Sequence, residues 1–241
     1  YNMSPVNEES KSLEDEETRK LLKRFGLQWN VFANNDCIET TGWTEFHVPQ
    51  LLPVLLDGLR SSTSSATVAI KSLSLEACSL GDQGIQQLCS EGVLPSLSLL
   101  VYLNLGGNGI HNAGAKALAD SLHRLTMLQE LKLDWNYIGD EGGVPIVQAL
   151  PRTLRILDFS GWIVRNNRRE VERDCQLGPR TSRALAQTLP RMRHLYRLVL
   201  DRQPLLPDGV VTLAEALPHC PSLRELSLQD IPVDTQGAMA L

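Results

Sequence analysis

A chain of 241 residues, 42% of them hydrophobic, is long enough to bury a continuous core without metals or disulfides, and its net charge of −5 excludes a general electrostatic grip on nucleic acid or anionic lipid. No run approaches the roughly 18 apolar residues of a membrane span. The opening YNMSPVNEESKSLEDEE is too acidic for a signal peptide. The expectation is a cytoplasmic protein without membrane insertion that favours a basic partner.

Residues 1–26 form a charged N-terminal tail or a capping helix. SLEDEETRKLLKRFG places Leu21, Leu22 and Phe25 at helical spacing, as a helix covering the end of a stack would, while its mixed charge suits a solvated tail equally. Residues 27–69 read as a degenerate N-terminal repeat: LQWNVFANNDCIE predicts an edge strand, VPQLLPVLLDGL a helix, and SSTSSAT at 61–67 a polar loop.

From residue 70 a period takes over. Its first apolar position falls at Ile70, Leu100, Leu128, Leu154, Leu195 and Leu223. Each is followed at +3 and +5 by further apolar residues, such as Leu103 and Leu105 or Leu157 and Phe159, an alternation that predicts a short strand. Leu80, Ile110, Ile138, Leu177, Leu205 and Val233 hold matching positions further on, and Gly84, Gly114, Gly142, Gly209 and Gly237 follow four later. Apolar pairs four apart come next, for example Leu118 and Leu122 or Leu213 and Leu217, which is helix spacing. Pro151, Pro190 and Pro218 end such helices, because proline disfavours helical geometry in the residue before it.

No unit of this size encloses its own apolar face, so the units must stack. Parallel strands then line a concave side and the wider helices a convex one. The expected fold is an α/β right-handed solenoid, a horseshoe of six repeats over 70–241, with an insertion at 163–176 and the last repeat truncated at Leu241. The missing initiator Met and a stop inside an expected helix predict a piece of a longer protein.

LVYLNLGGNGIHNAGAKALADSL and LQELKLDWNYIGDEGGVPIVQAL resemble the ribonuclease-inhibitor-type subfamily of leucine-rich repeats, whose pattern is LxxLxLxx(N or C)xLxxxGxxxL. The turn position reads Cys78, Asn108 and Asn136, then departs to Trp162, Gln203 and Ile231. The resemblance covers about residues 70 to 241 and implies the leucine-rich-repeat horseshoe. It leaves function open, since the fold serves inhibitors, activators of small GTPases, immune sensors and cytoskeletal or ciliary scaffolds.

No catalytic constellation is visible. GGNGIHNAGAK (106–116) lacks the Gly-Lys-Ser/Thr of a phosphate loop, and Asn112 stands where GxGxxG requires its third glycine. The histidines at 47, 111, 123, 194 and 219 form no HExxH or ligand cluster, and His123, His194 and His219 fall at helix ends. Five cysteines without a CxxC pair fit reduced thiols, and Asp140 and Glu141 read as solvated loop carboxylates. The expectation is no enzyme, no cofactor and no metal.

A partner is expected on the concave face, where Glu76, Asp134, Asp158, Asp201 and Asp230 outnumber Lys132 and Arg202. Ser74, Asn104 and Val199 belong to the same outward-facing set. Trp135 has two readings: a hot spot for a partner, or a cover over the bare Gly106 and Gly107. The insertion offers Trp162, Arg165, Arg168 and Arg169, either as a binding loop or as a tolerated solvated one. The leading reading is a non-enzymatic protein–protein interaction module or scaffold subunit of a multi-subunit complex, binding no nucleic acid, in a cytoplasmic setting that includes cytoskeletal or ciliary options. The alternatives are a regulator of a small GTPase and the sensing region of an immune-type receptor.

Overall fold

The computed structural model describes residues 20, 29–31, 36–64, 70–90, 93–161, 176–231 and 235–240. Their strands form one sheet in chain order: β1 (Trp29–Val31), β2 (Cys37–Thr40), β3 (Ser72–Ser74), β4 (Tyr102–Asn104), β5 (Glu130–Lys132), β6 (Ile156–Asp158), β7 (Arg197–Val199) and β8 (Glu225–Ser227). β1 runs antiparallel to β2, and every later pair is parallel. The register never slips: Leu73, Leu103, Leu131, Leu157, Leu198 and Leu226 lie side by side. The first five of these are fully buried, whereas Leu226 in the last repeat is only partly covered.

Between the strands run α1 (Val48–Ser64), α2 (Gly81–Leu88), α3 (Asn112–Leu122), α4 (Asp140–Ala149), α5 (Pro179–Thr188) and α6 (Pro207–Ala216), and α7 (Thr235–Ala240) follows the last strand. Successive helices pack on one another and send leucines such as Leu118, Leu122, Leu185 and Leu213 into a core shared with the strands. This is an α/β leucine-rich-repeat solenoid.

Two local expectations change. The edge strand expected over 27–39 is instead a pair, β1 and β2, with β1 shielding the open edge of the parallel stack. Helix α1 continues through Ser64, into the stretch expected to be loop. Its buried stripe of Leu51, Leu52, Leu55, Leu56 and Leu59 anchors it, and adding a turn to an anchored helix costs little because nucleation has already occurred. The capping-helix reading of residues 1–26 falls outside the described residues, apart from Lys20.

The backbone ladder continues past the short strands, as from Leu105 N to Lys132 O and from Gly107 N to Asp134 O, and side chains serve the amides and carbonyls that it leaves over. Asn108 Nδ2 donates to the Leu75 carbonyl at 2.7 Å, and its Oδ1 accepts from the amides of Cys78 and Leu80. Asn136 repeats the pattern one unit on, donating to Leu105 and Leu133 and accepting from Asn108 N and Ile110 N, each amide at 3.0 Å. Gln203, which departs from the Asn/Cys pattern, does the same work: Nε2 donates to the Phe159 carbonyl and Oε1 accepts from Leu177 N at 3.0 Å. Cys78, ahead of them, donates its thiol to the Thr40 carbonyl.

A second ladder caps helices across repeats. Asp82 accepts from His111 N and Gly114 N, and Asn112 accepts from Gly139 N and Gly142 N. Asp140 accepts from the amides of Gly178, Arg180 and Thr181 and from the Thr181 hydroxyl. The starts of α2, α3 and α4 therefore satisfy orphan amides at the starts of α3, α4 and α5. Asp140 is thus a structural cap, which corrects its reading as a solvated loop carboxylate.

Candidate functional site

Alternation along each strand sends the residues on either side of the central leucine to the concave face. One row across the sheet is Ser74, Asn104, Lys132, Asp158, Val199 and Ser227, and a parallel row is Ser72, Tyr102, Glu130, Ile156, Arg197 and Glu225. The second row is missing from the sequence reading, although the same alternation implies it.

The face is not uniformly open. Ser74 and Asn104 are only 7% and 3% exposed, and Val199 is buried, which corrects their expected accessibility. Asn104 is closed by its own bonds: Nδ2 donates to Glu76 Oε2 at 3.0 Å, and Oδ1 accepts from Gly106 N at 2.9 Å.

The cations of the face are answered locally. Lys132 lies 3.4 Å from Glu130 and over the Tyr102 ring, Arg202 lies 3.2 Å from Asp230, and Arg197 lies 3.5 Å from Glu225. Among the sequence-predicted carboxylates that leaves Glu76, Asp134, Asp158 and Asp201 without an ion pair to a described cation. Asp158 Oδ1 accepts from Ser160 N, and Asp201 Oδ1 accepts from Gln229 N across the repeat, so turn amides hold both carboxylates in place. The Asp134 carboxyl is pushed up to about 6, first by burial and then by the negative charges of Asp158 and Glu76. Three repeats thus focus negative charge on one spot.

Trp135 stands beside Asp134. Its backbone is left-handed, with φ of 58°, as it is for Arg202 and Asp230 at equivalent positions of later repeats. This geometry turns the side chain to the rim, where the indole keeps 38% exposure. The Arg202 guanidinium lies 5.6 Å from the ring centroid, and the intervening repeat has Gly161 at that position, with no side chain to separate them. A Cβ on Gly106 would stand 2.7 Å from Asp134 Oδ1, and Ala77 is what lies nearest to Gly107, at 3.6 Å. Trp162, Arg165, Arg168 and Arg169 lie outside the described residues.

Among the described residues, no group of three or more His, Cys, Asp or Glu is placed to hold a metal ion, and no helix is long and apolar enough to cross a membrane.

A parallel strand in every repeat, an amide ladder through the turns at Asn108, Asn136 and Gln203 and a helix on the outer side define a leucine-rich-repeat protein. The Leucine Rich repeat family model matches residues 96–119 and 124–147. The chain is 29% identical over 178 residues to the ribonuclease inhibitor of Sus scrofa, covering 73% of this chain and 37% of that protein. It is 32% identical over 158 residues to NACHT, LRR and PYD domains-containing protein 14 of Mus musculus, covering 65% of this chain and 15% of that protein. It is 34% identical over 99 residues to Leucine-rich repeat-containing protein 73 of Homo sapiens, covering 39% and 31%. The chain belongs to the leucine-rich-repeat proteins of the ribonuclease-inhibitor-like type, and it spans little more than a third of the ribonuclease inhibitors it matches. A repeat array of this kind supports protein–protein interaction.

Proposed function

We propose that the chain is a non-enzymatic binding module that takes a basic protein segment along its concave face, in a larger cytoplasmic assembly. The observation that carries this reading is the juxtaposition of Asp134, Asp158 and Glu76 with the exposed indole of Trp135. The carboxylates speed the association of a cationic segment, and the indole at the rim beside them supplies apolar area. Lys or Arg from the partner would offset the repulsion from Asp158 and Glu76 that adds to burial in raising the Asp134 carboxyl. The insertion bearing Trp162, Arg165, Arg168 and Arg169 adds a second contact on this reading.

The test is crosslinking from the site. A photoreactive amino acid in place of Ser227, in the same concave row, captures the partner from native extract, and the captured peptide is sequenced. Capture of a Lys/Arg-rich segment that falls about tenfold or more in Asp134→Lys/Asp158→Lys supports the reading. Capture that ignores the charge reversal overturns it.

A second reading, the repeat region of an immune-type sensor, draws on the likeness to the NACHT, LRR and PYD domains-containing protein. The full gene tests it: a nucleotide-binding domain encoded upstream of Tyr1 supports it, and an upstream sequence without one ends it.

A further inference from the structure

The edge of the sheet where strands begin carries the opposite charge to the concave face. Turns before β6 and β7 place Arg152 and Arg193 at equivalent positions of successive repeats, two residues ahead of Leu154 and Leu195. Stacking sets such residues side by side at about one strand spacing, ~4.8 Å. Arg191, the last residue of the 3₁₀ turn Leu189–Arg191, and His194 join them, and Arg155 follows on the strand side. All five are exposed.

They line two adjoining depressions. One of about 390 Å³ is bounded by Arg152, Arg191, Arg193 and His194. The other, of about 550 Å³, shares Arg193 and His194 and adds Arg155, Tyr196 and Gln129. Among the described residues none of these four arginines has an ion pair, and the nearby acids are engaged elsewhere: Glu130 with Lys132, and Glu225 with Arg197 and the Tyr196 hydroxyl. Four like charges gathered on one exposed edge without counterions attract a multivalent anion, whereas scattered surface arginines would carry no such arrangement.

We propose that this edge is a docking site for a phosphorylated protein segment, separate from the acidic concave face. A carboxylate offers two oxygens and one negative charge, whereas a phosphate monoester offers three oxygens and nearly two charges, and the smaller depression is lined by three arginines and a histidine. The patch is too short for a nucleic acid. It occupies two repeats, ends at the acidic Glu130 and Glu225, and offers one tyrosine, Tyr196, where single-strand binding uses aromatics under successive bases. Hydroxyls in the groove are likewise committed, Thr153 to the carbonyls of Thr126 and Leu128 and Ser222 to that of Arg193. They fix the walls and leave the guanidiniums as the recognising groups.

The experiment uses fluorescence anisotropy with the full chain and a labelled Gly/Ser peptide bearing two phosphoserines. Comparison probes are the unphosphorylated peptide, its Ser→Glu version and an oligouridylate of equal charge. The phosphopeptide binds, each of Arg152→Glu and Arg193→Glu weakens it about tenfold or more, and Asp134→Lys leaves it unchanged. Both arginines are exposed turn residues, and circular dichroism checks that the variants stay folded. Equal binding of the Glu peptide, tighter binding of the oligouridylate, no binding of the phosphopeptide, or indifference to both arginine reversals each overturns the proposal. None of these outcomes bears on the concave face, which the crosslink tests separately.

Discussion

The hydroxyl of Thr181 donates to Asp140 Oδ1 at 2.7 Å, joining the starts of two helices that lie 41 positions apart in the chain. Thr181 occupies the position that glycine holds in the other repeats, and Gly143 makes the exchange possible. A Cβ at residue 143 would stand 2.7 Å from the Thr181 hydroxyl and 2.5 Å from Leu177 Cδ2. The bulk lost on one helix is spent on its neighbour.

Three substitutions follow from that contact. Asp140→Ala orphans three helix-start amides and one hydroxyl, and should cost about 2–3 kcal/mol, more than a single ordinary cap. Gly143→Ala should cost about 1–3 kcal/mol through overpacking. Thr181→Ala removes the crowding oxygen, so in urea denaturation the double variant should be more stable than the sum of the singles by about 1 kcal/mol. Strict additivity would mean that the two residues do not share the space described here.

Thr181 and Gln203 also mark where the sequence stops being legible. Strands, helices and the core follow from leucines that recur in six units, so each position is read several times. A departure from the pattern occurs once, and one residue does not say whether its task was dropped or taken over. Asn136 and Gln203 reach equivalent carbonyls only because the longer side chain suits its own turn, which is a property of the backbone around it. The closure of Asn104 and the pairing of Arg202 with Asp230 were hidden for the same reason, since both depend on partners one repeat away. The row of Tyr102, Glu130, Ile156, Arg197 and Glu225 differs, because the period of two already contained it.

The amide ladder should be the least tolerant feature of the fold. Asn136→Ala leaves the amides of Asn108 and Ile110 and the carbonyls of Leu105 and Leu133 buried without these partners, at a cost of about 3 kcal/mol. Gln203→Ala should cost about 2 kcal/mol by the same reasoning, from one amide and one carbonyl. Hydrogen exchange reads both directly: the Asn108 and Ile110 amides lose protection in the first variant and the Leu177 amide in the second. Unchanged protection at Leu177 would show that Gln203 is not a ladder member.

Burial pushes the Cys78 thiol up to about 12 and the Cys89 thiol to about 11. The thiolate is the reactive form, so both should resist iodoacetamide at pH 8 in the folded protein and react once it is unfolded in urea. Mass spectrometry of the alkylated peptides checks this. Rapid native labelling at residue 78 would contradict its burial under the Thr40 carbonyl.

Asp134 makes the concave face sensitive to pH in a defined direction. Its carboxyl lies at about 6 in the folded chain against 3.8 for the ordinary group, because burial and the charges of Asp158 and Glu76 oppose ionisation. The folded state therefore holds its proton more tightly than the unfolded one, so the favourable contribution is complete below about pH 3.8 and is lost as pH rises through about 6. Asp134→Asn should then stabilise the chain at pH 7 by about 1 kcal/mol, a figure reduced for the solvent that screens a carboxyl only half buried, and the advantage should vanish by about pH 4. A cationic segment on the face reverses the balance by favouring the charged carboxylate. Its affinity for the wild-type chain should fall as pH drops below about 6, and that fall should flatten in Asp134→Asn. Isothermal titration with the captured basic segment between pH 5 and 8 measures both, with proton release on binding near pH 6 in the wild type alone. An affinity that is flat with pH, or that falls equally in the variant, would place the cation away from Asp134.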